Sequence, residues 1–79
     1  PTISEQVRSI IAIQLDVDVS QIHDDTDITA DLHADSLTAV ELLIAVEEAF
    51  RCDIPDRDAA TLHRVGDVVR YLELRMSRG

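Results

Sequence analysis

Between residues 16 and 48 the sequence has neither lysine nor arginine, while the same stretch holds ten acidic residues. Elsewhere charge is close to balance, with one acid and one arginine in residues 1–15 and five acids and six arginines in 49–79, so the net −9 is concentrated in the middle. A block of that sign repels nucleic acid and anionic membrane surfaces and steers basic partners toward itself; a merely solubilising face is the plain alternative. No apolar run approaches the roughly 18–20 residues that span a bilayer. The single cysteine, Cys52, cannot close an internal disulfide and stands far from any zinc-ligand set, so it reads as structural. No signal-peptide pattern precedes the first apolar segment, and the expectation is a soluble, cytoplasmic protein without membrane insertion.

Aromatics are nearly absent too. Phe50 and Tyr71 are the only ones, so the interior is expected to be aliphatic, filled by branched side chains that can shift without displacing a large rigid ring. Such an interior suits an apolar guest, although small domains often lack aromatics for no functional reason. At 79 residues there is room for one domain, residues 1–79, burying about 60–65% of its unfolded surface.

What is present is mostly helical. Thr2 and Glu5 form a capping-box pattern ahead of Ile3, Val7, Ile10, Ile11 and Leu15 at helical spacing, which predicts a helix over 3–15. Residues 16–35, DVDVSQIHDDTDITADLHAD, are polar with Val17, Val19, Ile22, Ile28 and Leu32 as expected anchors. From Ser36 to Arg51 there is no glycine or proline, and the spacing is helical again. The IPD at 54–56 breaks the chain, with Asp56 expected to cap a short turn running to about Thr61. Val65, Val68, Val69, Leu72 and Met76 then predict a last amphipathic helix. Three main helices, one short helix and no strand pattern give an all-α fold, a small helical bundle.

On a wheel of about 100° per residue, Ala39, Val40, Leu42, Leu43, Val46 and Phe50 form the expected core face of the second main helix. Leu37, Glu41, Ile44 and Glu48 fall on a different face. Glu47 has Arg51 four residues on, a favourable pairing, but Glu41 and Glu48 have no such neighbour, and Glu48 opposes the helix dipole. These acids do not serve helix stability. Their alignment with Leu37 and Ile44 points to docking of a basic, partly apolar partner.

Ser36 stands where the loop becomes this helix, beside unpaired backbone N–H groups and the positive end of the dipole, a favourable place for an attached phosphate. The plainer role for Ser36 or Asp35 is a helix cap. Catalysis fits poorly, because His23, His33 and His63 are scattered and no G-x-S-x-G elbow surrounds the serine. Asp16, Asp18, Ser20, Asp24 and Asp27 approach calcium-loop spacing, but Gln21 stands where the sharp turn requires glycine and Asp27 where a bidentate Glu belongs. No dedicated metal site is expected.

Around DLHADSL, followed by TAVELLIAVEEAF, the sequence resembles the acyl carrier proteins of fatty acid and polyketide synthesis. The likeness runs from TISEQV and IIAIQL through DIPDRDAATL to VVRYLE. The resemblance implies a four-helix bundle that catalyses nothing itself and works as a monomer. It implies 4'-phosphopantetheine, taken from CoA by a phosphopantetheinyl transferase, on Ser36, with acyl groups carried on the arm as thioesters. It also implies that Asp35, Leu37, Glu41, Ile44, Glu47 and Glu48 engage basic patches on the transferase and on enzymes of acyl-ACP synthetase, ketosynthase or acyltransferase type. Val40, Val46, Ile54, Ala59 and Leu62 are the expected lining of an acyl-chain cavity. Departures point to a specialised member: His33 and Asp16 stand where the family usually has glycine, and Thr38 replaces an acid. The peptidyl carriers fit less well, since their glycine-rich approach to the serine is LHADSL here. From the residues alone, an unmodified acidic helical adaptor and a small calcium-binding protein remain open beside the carrier.

Overall fold

The computed structural model describes residues 2–77. Pro1, Arg78 and Gly79, the ends of the expected 1–79 domain, lie outside the described residues. Among those described stand four α-helices, α1 (Ile3–Leu15), α2 (Ser36–Phe50), α3 (Asp56–Ala59) and α4 (Val65–Ser77), and one 3-10 turn at Val19–Gln21. The all-α expectation holds.

The capping box at the head of α1 forms as its spacing predicts: the Glu5 N–H donates to the Thr2 hydroxyl at 3.1 Å and the Thr2 N–H to the Glu5 carboxylate at 2.9 Å. Two donors at an open helix end are thereby satisfied. α1 packs against both α2 and α4. Val7 and Ile11 are fully buried and share one core with Leu42, Val46 and Phe50 of α2 and Val65, Val68, Val69 and Leu72 of α4. Each such side chain removed from water contributes about 1.5–3 kcal/mol, so the three long helices are held by their aliphatic faces.

The connection into α2 is anchored by Ile22, Ile28 and Ala34, all buried, with Val17 and Leu32 packed at the core's edge. Val19, expected among the anchors, is instead about half exposed. It opens the 3-10 turn, where the Asp18 carboxylate accepts the Ser20 N–H at 2.9 Å; Ile22, at the end of that turn, is the residue that reaches the core. Backbone bonds then clamp the loop to the entry of α4: Ile28 N–H to His63 O at 3.0 Å, Val65 N–H to Thr26 O at 3.0 Å, and Gly66 N–H to Asp24 O at 2.7 Å. The approach is so close that a Cβ at Gly66 would stand 2.9 Å from the Asp24 carbonyl oxygen, which explains the glycine in an otherwise helical pattern.

The connection out of α2 differs from expectation in two places. Arg51 turns into the left-handed region (φ 54°) as the C-cap of α2, so the Glu47–Arg51 pair does not form; among the described residues the one salt bridge is Arg70–Asp67, 2.8 Å. Glu47 instead accepts the Ile54 N–H at 2.7 Å. Asp56 does not cap α3: it is the first helical residue, Pro55 holds the cap position, and no side-chain bond closes that end. Met76, 41% exposed, lies beyond the buried stripe of α4.

Candidate functional site

Two local features present Ser36. Asp35 is the N-cap of α2, and its carboxylate accepts the Thr38 N–H at 2.8 Å. The Thr38 N–H therefore holds the Asp35 carboxyl below the usual carboxylate range. With the cap supplied by Asp35, Ser36 becomes the first residue of the helix, exposed, and its hydroxyl has no hydrogen-bond partner among the described residues. The first turn of α2 carries no acid after the cap. A free hydroxyl beside open amides, at the positive end of 15 aligned peptide units, fits a phosphate ester in charge and access.

Two left-handed residues precede Ser36 in the chain. His33 lies at φ 59° and Asp16, after α1, at φ 54°, a region L-residues enter at about 1–2 kcal/mol. Both are positions where the resemblance led us to expect glycine, and the backbone keeps the glycine-like conformation without it.

Of the expected docking residues, Leu37 is 67% exposed and Ile44 48%, and Glu41 and Glu48 are exposed beside them. Asp35 is exposed but committed to its cap. Glu47 departs from expectation: it is half buried, with its carboxylate on the Ile54 N–H. Val40 departs the other way. Placed on the core face by the wheel, it is 53% exposed, because the buried strip is only as wide as Leu42, Val46 and Phe50, and Val40 lies ~40° from Ile44. It completes an outward apolar row of Leu37, Val40 and Ile44.

Behind that row opens a cleft of about 280 Å³. An apolar cavity of about 150 Å³ already accepts a benzene ring, so this one has room for a flexible hydrocarbon segment. Val40, Val46, Ala59 and Leu62 line it, together with Ile11, Ile28, Ala39, Leu42, Leu43, Ala60 and Val68, with Thr29 as the one hydroxyl. Ile54 does not line it. That side chain is 4% exposed within the core, drawn in where Glu47 binds its N–H. The lining is drawn from α1, the loop, α2, the α3 segment and α4, so sequence spacing could have found only the α2 members.

Two of the acids at calcium-like spacing are held by local bonds. Asp18 caps its turn, and the Asp27 carboxylate accepts the Thr29 and Ala30 N–H groups at 3.0 and 2.8 Å. No three His, Cys, Asp or Glu side chains converge as a ligand set among the described residues.

Residues 5–72 match the family described as "Phosphopantetheine attachment site". Proteins named "Acyl carrier protein" from Helicobacter pylori strains J99 / ATCC 700824 and G27 are each 46% identical over 69 residues, covering 87% of this chain and 88% of theirs. The match takes in the capped serine, the outward row of α2 and the cleft together. The chain belongs to the acyl carrier protein family, and its function is to carry acyl groups on 4'-phosphopantetheine.

Proposed function

We propose that Ser36 is the point of attachment. The observation that carries this is the division of labour at the head of α2: Asp35 takes the capping bond, and the neighbouring hydroxyl is left exposed and unbonded. In the loading step the Ser36 Oγ forms a phosphoester bond as the pyrophosphate of CoA breaks. Adenosine 3',5'-bisphosphate leaves, and the serine proton passes to a base of the transferase. The attached group supplies a thiol on which acyl chains ride as thioesters. The chain's own residues present the hydroxyl and the docking face and shelter cargo, and they catalyse no step.

The outward row of Leu37, Val40 and Ile44, flanked by Glu41 and Glu48, is where the transferase and the acyl-handling enzymes dock. Its supports are exposure and charge sign: basic partners are steered in, and the apolar row is buried on contact. Glu47 contributes the loop's position instead of a contact. The cleft shelters the proximal part of an acyl chain, each buried methylene contributing about 0.8 kcal/mol. Residues 1–79 act as one carrier unit and work as a monomer in the cytoplasm, where CoA is at hand. No helix among the described residues is long and apolar enough to cross a membrane. His33, at the approach, narrows the set of transferases and synthases that accept the protein.

Intact-mass measurement after incubation with CoA, magnesium and a broad-specificity phosphopantetheinyl transferase tests the attachment. One phosphopantetheinyl group is gained by the wild-type protein and none by Ser36→Ala. Modification that persists in that variant places the group elsewhere and overturns the assignment. A wild-type protein that stays unmodified favours the acidic adaptor.

A further inference from the structure

The cleft has four walls built from long helices and a clamped loop, and a fifth that is held differently. Ala59, Ala60 and Leu62 reach it from α3 and the turn that follows. α3 is four residues long, buries none of them and has no side-chain cap, and a helix so short is not stable alone. Nor does it have helix–helix packing comparable to that of α1 with α2 and α4. Beyond the packing of Ala59 and Leu62 at the core's edge, its position is fixed by a chain of side-chain bonds to α4. The Tyr71 hydroxyl donates to the Asp58 carboxylate at 2.7 Å, Arg75 donates to the Tyr71 oxygen at 2.8 Å, and the same Arg75 nitrogen donates to the Asp53 carbonyl at 2.9 Å. The guanidinium also lies over the Tyr71 ring, 5.6 Å from its centre. These bonds span 13 and 22 residues of sequence and grip the segment on both sides of Pro55.

We propose that Tyr71 is a positioning residue that sets the acyl-chain length this carrier shelters: through its hydroxyl, Asp58 keeps α3 against α4, so the wall of Ala59, Ala60 and Leu62 yields only to a chain long enough to break the bond. This rests on the cleft holding the acyl chain. A single hydrogen bond to a carboxylate is comparable with the burial of roughly two to four methylenes. The latch is therefore strong enough to discriminate chains by a few carbons and weak enough for cargo to open. The aliphatic wall carries no polar side chain that the opening would strand.

Tyr71→Phe keeps the ring and its packing and removes only the bond. In the unloaded protein, amide hydrogen exchange at Ala60, Thr61 and Leu62 rises roughly tenfold or more, with the amides of Ile11 and Val46 unchanged. In the loaded protein, a series of saturated acyl chains is compared by hydroxylamine cleavage of the thioester. The length giving greatest protection moves longer by about two carbons. Asp58→Asn, made with Tyr71 intact, retains an acceptor and keeps both readouts closer to wild type than Tyr71→Phe does, which a general loss of packing would not do. Unchanged exchange in α3 overturns the latch, and faster exchange with an unmoved length optimum overturns its role in length selection. If the wild-type thioester shows no length dependence at all, the cargo reading of the cleft fails, whatever exchange shows.

Discussion

The two connections that flank α2 are held by different chemistry. The one before it, leading to Ser36, is riveted by backbone: three main-chain bonds to the entry of α4, buried Ile22, Ile28 and Ala34, and a buried Thr26 whose hydroxyl accepts the His23 N–H at 2.9 Å. The one after it, carrying the cleft wall, has one buried anchor, Ile54, and otherwise relies on side-chain bonds, namely Glu47 on Ile54 and the Asp58–Tyr71–Arg75 chain. Main-chain bonds buried under a core open only when much of the fold opens, whereas side-chain bonds at a half-exposed edge open locally. On the proposed function, the rigid side presents the hydroxyl that a transferase finds, and the yielding side holds the wall that admits cargo of varying length.

The rigid connection is most vulnerable at Gly66. A branched side chain there has nowhere to go, since the nearest atom is the Asp24 carbonyl oxygen, main chain and not a movable side-chain end. Gly66→Val is expected to cost about 2–3 kcal/mol and, in a domain this small, to lower Tm by about 10–20 °C. Thermal unfolding followed by circular dichroism measures it. A variant that melts with the wild type would show that the loop is not clamped through this contact.

The acids of α2 divide along the same line. Glu47→Ala leaves the Ile54 N–H without its acceptor at a partly buried position, and about 1–2 kcal/mol of stability goes with it. Glu41→Ala and Glu48→Ala stay within about 0.5 kcal/mol of wild type, as exposed positions without structural partners do, but slow association with a basic transferase several-fold at low salt. Denaturant titration and stopped-flow binding separate the two effects. Equal destabilisation by all three would erase the distinction drawn between structural and docking carboxylates.

The helices, the capping box of α1 and the serine's place at the head of α2 were legible because they depend on neighbours three or four residues away. Thr2 with Glu5 needs nothing but local spacing, whereas spacing leaves the cap of α2 open between Ser36 and Asp35, and the cap it suggests at Asp56 does not form. The errors come where a distant partner decides. Val40 could not be assigned without knowing how narrow a strip of α2 the core covers. Glu47 looked paired with Arg51 until Arg51 took the left-handed cap and Ile54 folded back. Tyr71 and Asp58 could be paired only once α3 had been placed, and nothing in their spacing announces it.

Titration attacks the two sides from opposite ends of the pH scale. Hydrogen bonds from backbone N–H groups, chiefly that of Thr38 for Asp35 and that of Arg64 for Asp67, hold these carboxyls below their ordinary values. A depressed carboxylate contributes stability present above its unfolded pKa and lost as pH falls through the folded one, so acid loosens the head of α2 and the entry of α4. Burial, followed by the bond to Asp58, raises the Tyr71 phenol, with Arg75 opposing. Its contribution is complete below the unfolded tyrosine value and lost as pH climbs through the higher folded value. As the only tyrosine, it reports its own ionisation by ultraviolet absorbance. The midpoint should lie above that of the unfolded chain and fall toward it in Asp58→Asn. A midpoint unmoved by that change would dissociate the phenol from α3.

The smallest expected effect concerns the left-handed residues. Arg51, His33 and Asp16 share nearly the same dihedral, φ 54–59°, but not the same cost. Asp and His enter this region more readily than a long side chain such as arginine. Glycine removes the steric penalty at each and returns part of it as unfolded-chain entropy. Arg51→Gly should therefore stabilise most, by about 0.5–1 kcal/mol, and His33→Gly and Asp16→Gly by less. The order bears on function because His33 lies on the rigid approach to Ser36 while Arg51 opens the yielding connection. If His33→Gly were instead the most stabilising of the three, the approach would be storing strain, and loading by a housekeeping transferase should then improve in step with stability.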